Sequence, residues 1–179
     1  GGGGGRPLTV HIKIDTGMGR IGLADENESI RFIEKALQTP GVRVEGLFTH
    51  YACADERDKT HLLGQHRKFS RVVDHFRERG ISFPFVHAGN SATGIDTPEL
   101  TWNMVRLGVG MYGLYPSEQV NHARVRLKPV MALKTGIVMV KTLPRGRSIS
   151  YGANYVTRQD GEVIATLPIG YADGYSRLL

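Results

Sequence analysis

Apolar and polar residues alternate through residues 8–14: Val10, Ile12 and Ile14 fall on one face, His11, Lys13 and Asp15 on the other. A period of two predicts a strand with one polar face. Over residues 27–38 the spacing changes, with Ile30, Ile33 and Leu37 at helical intervals before Pro40-Gly41 ends the run. Val42, Val44, Leu47 and Phe48 rebuild a strand that ends at His50, and a longer helix follows over about residues 58–79. Its apolar stripe is Leu62, Phe69, Val72, Val73 and Phe76, and Gly80 suits its C-terminal cap. A third strand is predicted over residues 83–87 and, after a short connection through 91–98, a fourth near 104–107.

Strands that alternate with helices imply right-handed crossovers and a parallel sheet, either open and doubly wound or closed as a barrel. Polar residues recur where each strand ends: Lys13 with Asp15, His50, His87 with Asn90, and Arg106. In both kinds of α/β fold the active site forms at those ends. Beyond Pro116 the pattern changes. Residues 130–140, 149–156 and 162–168 read as strands joined by turns such as Pro144-Arg145-Gly146 and Asp160-Gly161, with no helix between them. The boundary between an α/β part and an all-β part is therefore expected near residues 116–126, giving an α/β segment over 6–118 and a β segment over 119–179.

Composition narrows the class. The 179 residues, 40% hydrophobic and 22% charged, suffice for a buried core. No apolar run reaches the roughly 18–20 residues of a membrane-spanning helix, and neither membrane nor secretory targeting is expected. Cys53 is the single cysteine, which excludes an internal disulfide and fits a reducing cytoplasm. The formal net charge is +6, but the basic residues are spread along the chain rather than clustered with aromatics, which argues against nucleic-acid binding. Five glycines open the chain and are set apart as a linker or scar, since they offer no side chains to pack.

Several residues carry candidate chemistry. Lys13 lies mid-strand on the polar face, where a barrel would point it inward, and a buried ammonium needs an anion beside it or a lowered pKa. Arg20 closes the Gly-rich turn Thr16-Gly-Met-Gly-Arg, and its planar fork suits a carboxylate. Alternatively, Lys13 snorkels to water and Arg20 is a surface residue. His50, at a strand end, reads as structural or catalytic. The stretch Val86-His-Ala-Gly-Asn-Ser-Ala92 gathers small residues and a hydroxyl, as a phosphate site requires, although a plain turn explains it equally. In a barrel, a phosphate held after the final two strands would meet Ser91 from one and the amides of Gly108 and Val109 from the other. The Gly-x-Gly at 108–110 is too weak to indicate a dinucleotide fold, and no metal site is expected.

Taken in order, six stretches resemble the alanine racemase family. They are His11-Ile-Lys-Ile-Asp-Thr-Gly-Met-Gly-Arg-Ile-Gly22, Thr49-His50 with Ala54-Asp55, His87-Ala-Gly-Asn-Ser91, Val105-Arg-Leu-Gly-Val-Gly-Met-Tyr-Gly-Leu114, Ser150-Tyr-Gly-Ala-Asn-Tyr155 and Ile169-Gly-Tyr-Ala-Asp-Gly174. The resemblance implies a pyridoxal-phosphate-binding (β/α)8 barrel followed by a β-rich domain. It further implies a cytoplasmic homodimer that interconverts L- and D-alanine and supplies D-alanine for peptidoglycan. The match covers the later barrel strands and the beginning of the β domain, so the chain is expected to be an internal piece of such a protein.

By this resemblance, Arg106 hydrogen-bonds the pyridine nitrogen of pyridoxal 5′-phosphate, His50 supports Arg106, and Ser91, Gly108 and Val109 hold the phosphate. Tyr151 is one of two acid/base groups and enters the active site of the other subunit, while Arg20 serves that tyrosine and the substrate carboxylate. Asp55, Tyr171 and Arg177 match residues of the substrate entryway. Lys13 matches a lysine that is carbamylated in many members, and a carbamate would supply the negative charge missing beside Arg20. The second base, a lysine that also carries the cofactor, belongs in the family to the first barrel strand. This chain offers no replacement and is expected to be inactive by itself. Three rival readings stand beside this one: a folded interaction piece with no activity, a racemase of broader or serine specificity, and a non-catalytic pyridoxal-phosphate-binding barrel. The last would lack the β segment that carries Tyr151 and Tyr171.

Overall fold

The computed structural model describes residues 5–176. Strands β1 (Leu8–Lys13), β2 (Val42–Phe48), β3 (Phe85–Gly89) and β4 (Met104–Val105) form one parallel sheet in that order. Helices α1 (Glu26–Gln38) and α2 (Thr60–Arg77) and the short α3 (Ser91–Asp96) connect them. The starts of the helices are written in local chemistry. Asp25 accepts the Glu28 amide at 2.8 Å, and Glu26 and Glu28 sit in the first turn with Lys35 in the last, as the helix dipole favours. Asp58 takes both the amide and the hydroxyl of Thr60, and Gly80 adopts φ +73° where the chain leaves α2.

The core lies between the sheet and these helices. Ile12, Val44, Leu47, Val86 and Ala88 meet Ile33 of α1 and Leu62, Phe69, Val72 and Phe76 of α2, all buried. Truncating a side chain as enclosed as Phe69 to alanine costs about 3–5 kcal/mol. Val44 and Leu47 both face this core although three residues apart. The pairing slips between them: Val10 lies opposite Val44 but His11 opposite Gly46, which leaves Glu45 as an extra residue in β2. A second slip, with His87 opposite Met104 and Gly89 opposite Val105, interrupts β3.

The described residues fall into two compact units, the first running to Val130 and the second starting at Met131. Residues 116–130 pack within the first unit, where Val120 is buried and Tyr115 stacks on His122 with centroids 3.8 Å apart. In the second unit β5 (Met139–Leu143) pairs antiparallel with β8 (Glu162–Thr166), and β6 (Ser148–Ile149) with β7 (Tyr155–Val156). The expected sequence of classes, a parallel α/β part followed by antiparallel β structure, is thus observed.

Three expectations need correction. The strand foreseen over 130–140 is confined to its end, because the ladder stops where Met139 meets Thr166 and the residues before Val138 have no partner strand among the described residues. The stretch 149–156 is broken by a 3-10 turn, Tyr151–Ala153, flanked and shaped by positive φ at Ser150, Gly152 and Ala153. The connection through 91–98 contains α3, whose N-cap Asn90 accepts the Thr93 amide at 3.0 Å.

Candidate active site

The polar face of the sheet holds His11 and Lys13 from β1, Phe48 from β2 and His87 from β3, with Arg106 directly after β4. Phe48 stacks on His87 (centroids 5.0 Å apart, 10° between planes), with Lys13 Nζ 5.8 Å and the Arg106 guanidinium 5.5 Å from its ring centre. Arg106 Nη1 lies 2.5 Å from His87 Nδ1, while Nη2 donates to the Thr49 carbonyl and to His50 Nδ1, both at 3.0 Å. A guanidinium only donates, so both Nδ1 atoms accept and both imidazoles are neutral with the proton on Nε2. Burial, and then the positive charge of Arg106, push His50 and His87 down to about 4, which agrees with that assignment. Arg106 keeps its Nε–H and one Nη1 hydrogen without a partner among the described residues.

A buried glutamine braces the strand ends. Gln65 belongs to the apolar stripe of α2 yet is 2% exposed, and it makes three hydrogen bonds. It accepts the Ala52 amide at 2.8 Å and donates to the His50 carbonyl at 3.0 Å and to Thr16 Oγ1 at 3.1 Å. Thr16 and Thr49 in turn share a 2.7 Å hydrogen bond that joins the ends of β1 and β2.

At the ends of β3 and β4, Ser91 Oγ accepts the amides of Gly108 (3.0 Å) and Gly110 (3.1 Å). A side chain at Gly110 would press on Ser91 at 3.3 Å, so the glycine permits this close approach. His50, Asp55, Ser91, Arg106, Gly108 and Val109 line a cleft of about 360 Å³. A larger hollow of about 600 Å³ flanks β1; Val10, Ile12, Leu23, Phe32 and Ala36 make its wall mostly apolar, and His11, Lys13, Lys35 and Thr39 also line it.

Lys13 and Arg20 add positive charge. Burial lowers the Lys13 pKa, Asp15 opposes this, and Arg20 and Arg106 lower it further. Asp15 itself is engaged by its own turn, where one carboxylate oxygen accepts the amides of Gly17, Met18 and Gly19, shaping the loop that carries the exposed Arg20. In the second unit Tyr151 is 84% exposed on the turn with three positive-φ residues. Tyr171 opens another 3-10 turn, Tyr171–Asp173, in which Asp173 accepts the Gly170 amide at 2.9 Å. Arg177 lies outside the described residues.

His50, Ser91, Arg106, Gly108 and Val109 are the cofactor residues expected from sequence; His87 is expected there only as a strand-end polar residue, and His11, Phe48 and Gln65 have no expected role in the site. The signals were there in part: His11 shares the polar face of β1 with Lys13, and Gln65 falls at helical spacing between Leu62 and Phe69.

Comparison with known proteins settles the family. Residues 2–116 match the model for the alanine racemase N-terminal domain and residues 130–179 that for the C-terminal domain. The chain belongs to the alanine racemase family. An alanine racemase of Clostridium tetani is 50% identical over 97% of this chain and 45% of its own length, and that of Methanococcus maripaludis 46% identical over 98% and 47%. Among solved structures, a biosynthetic alanine racemase from Pseudomonas aeruginosa superposes with a TM-score of 0.77 at 32% identity, covering 96% of this chain and 46% of that one. An alanine racemase from Bacillus anthracis with bound L-Ala-P gives 0.69 at 36% identity, over 94% and 44%. The chain therefore spans about half the length of the racemases it matches. Among the described residues no group of His, Cys, Asp or Glu could hold a metal ion, and no helix is long and apolar enough to cross a membrane.

Proposed function

We propose that the whole protein interconverts L- and D-alanine with pyridoxal 5′-phosphate, as a cytoplasmic homodimer, and that this chain contributes part of the cofactor site. One observation carries the reading. The same cleft presents a fixed arginine with donors to spare and a serine hydroxyl on which two backbone amides converge. These residues fit a flat ring with an acceptor nitrogen and an attached phosphate: Arg106 would hold the nitrogen, and Ser91, Gly108 and Val109 the phosphate, the Gly108 amide turning to it from Ser91 Oγ. The positive charge of Lys13, Arg20 and Arg106 suits the anionic cofactor and a substrate carboxylate, which Arg20 would receive.

When bound, the cofactor supplies an electron-withdrawing ring that makes the substrate Cα proton removable. Arg106 cannot surrender its proton, so a ring nitrogen facing it stays unprotonated and withdraws electrons only weakly; this favours quick return of a proton to Cα over side reactions. Racemisation requires proton transfer on both faces of Cα. Tyr151 would serve one of them. Its exposure on a strained turn supports presentation to a partner's site, because strain of this kind persists where geometry serves function. Asp55, Tyr171 and Arg177 would line the approach, and Lys13 would carry a carbamate. For the opposite face no residue of this chain is nominated.

The test is a cofactor titration with D-alanine detection on the whole protein, parent against Tyr151→Phe. The variant should still bind cofactor and still exchange the α-proton of one enantiomer with D2O, while racemisation falls roughly 100-fold. Cofactor binding that fails, or racemisation that survives the substitution unchanged, would count against the reading.

A further inference from the structure

The polar string that fixes Arg106 does not end at His87. His87 Nε2 is 2.9 Å from His11 Nδ1, and His11 Nε2 lies 3.5 Å from Glu45 Oε2, whose other oxygen accepts from Arg43 at 2.6 Å. The direction of every proton follows from the arginine end. Because Arg106 donates to His87 Nδ1, neutral His87 carries its proton on Nε2 and must donate to His11 Nδ1. His11 then has its own proton on Nε2, aimed at Glu45. A doubly protonated His11 would set N–H against N–H at 2.9 Å, so the contact with Glu45 is a long N–H···O contact and not an ion pair.

The seat of His11 is built for this. A β-carbon on Gly46 would stand 2.9 Å from His11 Nδ1, the accepting atom, and 2.7 Å from the Phe85 carbonyl oxygen. Phe85, the partner of Gly46 on β3, stacks on the ring at 5.6 Å and 26°. We propose that His11, seated against Gly46 and oriented by Glu45, is a positioning residue that holds His87 in the one tautomer able to accept from Arg106. Its consequence for the cofactor ring rests on the function proposed above; the tautomer does not.

The residue acts through His87 and Arg106 and touches no substrate. His87 is 3% exposed, so its Nε2–H is held by His11 Nδ1 and not by water, and removing that acceptor leaves the N–H unpartnered and open to exchange. His11→Gln preserves both roles, since the amide oxygen accepts and the amide nitrogen donates, whereas His11→Leu preserves neither.

The experiment is long-range 1H–15N correlation on the protein labelled at histidine nitrogen, without cofactor and again with pyridoxal 5′-phosphate. In the parent, His87 should be protonated at Nε2 and bare at Nδ1. His11→Leu should shift the His87 Nε2 resonance and speed exchange of its proton by roughly tenfold, the loss of one buried hydrogen bond. His11→Gln should restore parental values, a rescue that packing alone would not produce. Protonation of His87 at Nδ1 in the parent, or an unchanged Nε2 signal in His11→Leu, would overturn the proposal. Should His11→Leu fail to fold, Gly46→Ala gives the same readout by displacing the ring, and the parental tautomer is decisive without any variant. Failure to bind pyridoxal 5′-phosphate with the tautomers as stated would sink the proposed function and leave the relay standing.

Discussion

A β-carbon on Gly22 would stand 2.7 Å from Cγ of Lys13 and 2.9 Å from the Lys13 carbonyl oxygen, so the glycine and the lysine share a space with no room for a methyl group. Gly22 also takes φ +117°, outside the range of ordinary L-residues. Gly22→Ala should therefore lose about 1–3 kcal/mol and push the lysine aside. Gly19, at φ +70° with nothing within 4 Å, should lose only about 1–2 kcal/mol as alanine. Urea unfolding of the two variants checks the ranking, and equal losses would show that contact with Lys13 is irrelevant.

Lys13 is expected to become carbamylated. Burial lowers its pKa and enlarges the neutral fraction, and a neutral amine adds to carbon dioxide, forming an N–C bond and releasing one proton. The resulting anion would lie among the charges of Arg20 and Arg106. After exchange with 13C-bicarbonate, carbon NMR should show one carbamate resonance, absent in Lys13→Ala. A parent spectrum with no adduct at saturating bicarbonate argues for a bare amine.

Acid should weaken the fold over a defined window. His50 and His87 are held near 4 in the folded chain against 6.5 for a free imidazole. Below pH 6.5 the unfolded chain takes up protons that the folded chain refuses. Stability is therefore full above that pH, falls as the pH drops toward 4, and levels off once both states are protonated. With allowance for the partial exposure of His50 and the shared partner Arg106, the two rings together contribute on the order of 2–4 kcal/mol. Urea midpoints at pH 7, 5.5 and 4.5 should decline in that order; a constant midpoint would mean the rings are solvated.

How much of this was legible beforehand differs by level. The parallel order, the apolar stripes and the clustering of polar groups at strand ends follow from period and spacing, which local sequence carries. The residues missed are those whose meaning depends on a partner far along the chain. His11 becomes informative only once His87, 76 residues away, is beside it. Gln65 carries no local signal within an apolar face, and its meaning comes from Thr16 and His50, its partners in the fold. The strand expected over 130–140 forms only at its end for the same reason: β-propensity is local, but a ladder needs another strand.

Gln65→Leu is the substitution that apolar patterning would favour, and it should destabilise. Leucine fills the space but strands the Ala52 amide and the His50 carbonyl, at about 1–3 kcal/mol for each group left unsatisfied, while Thr16 Oγ1 keeps Thr49. A total loss of roughly 2–6 kcal/mol, in the range of Phe69→Ala, should be seen in urea unfolding. A stabilised Gln65→Leu protein would show that solvent already reaches these groups.

A regular ladder allots one neighbour to each residue, and that neighbour must be either a ligand or a vacancy. The extra residue in β2 gives His11 two, since Glu45 and Gly46 together occupy the place between Val44 and Leu47. One brings a carboxylate and the other brings nothing, and a histidine ring that must be both gripped and housed needs both. The irregularity thus divides two incompatible duties between adjacent residues, so that each can be altered without touching the other.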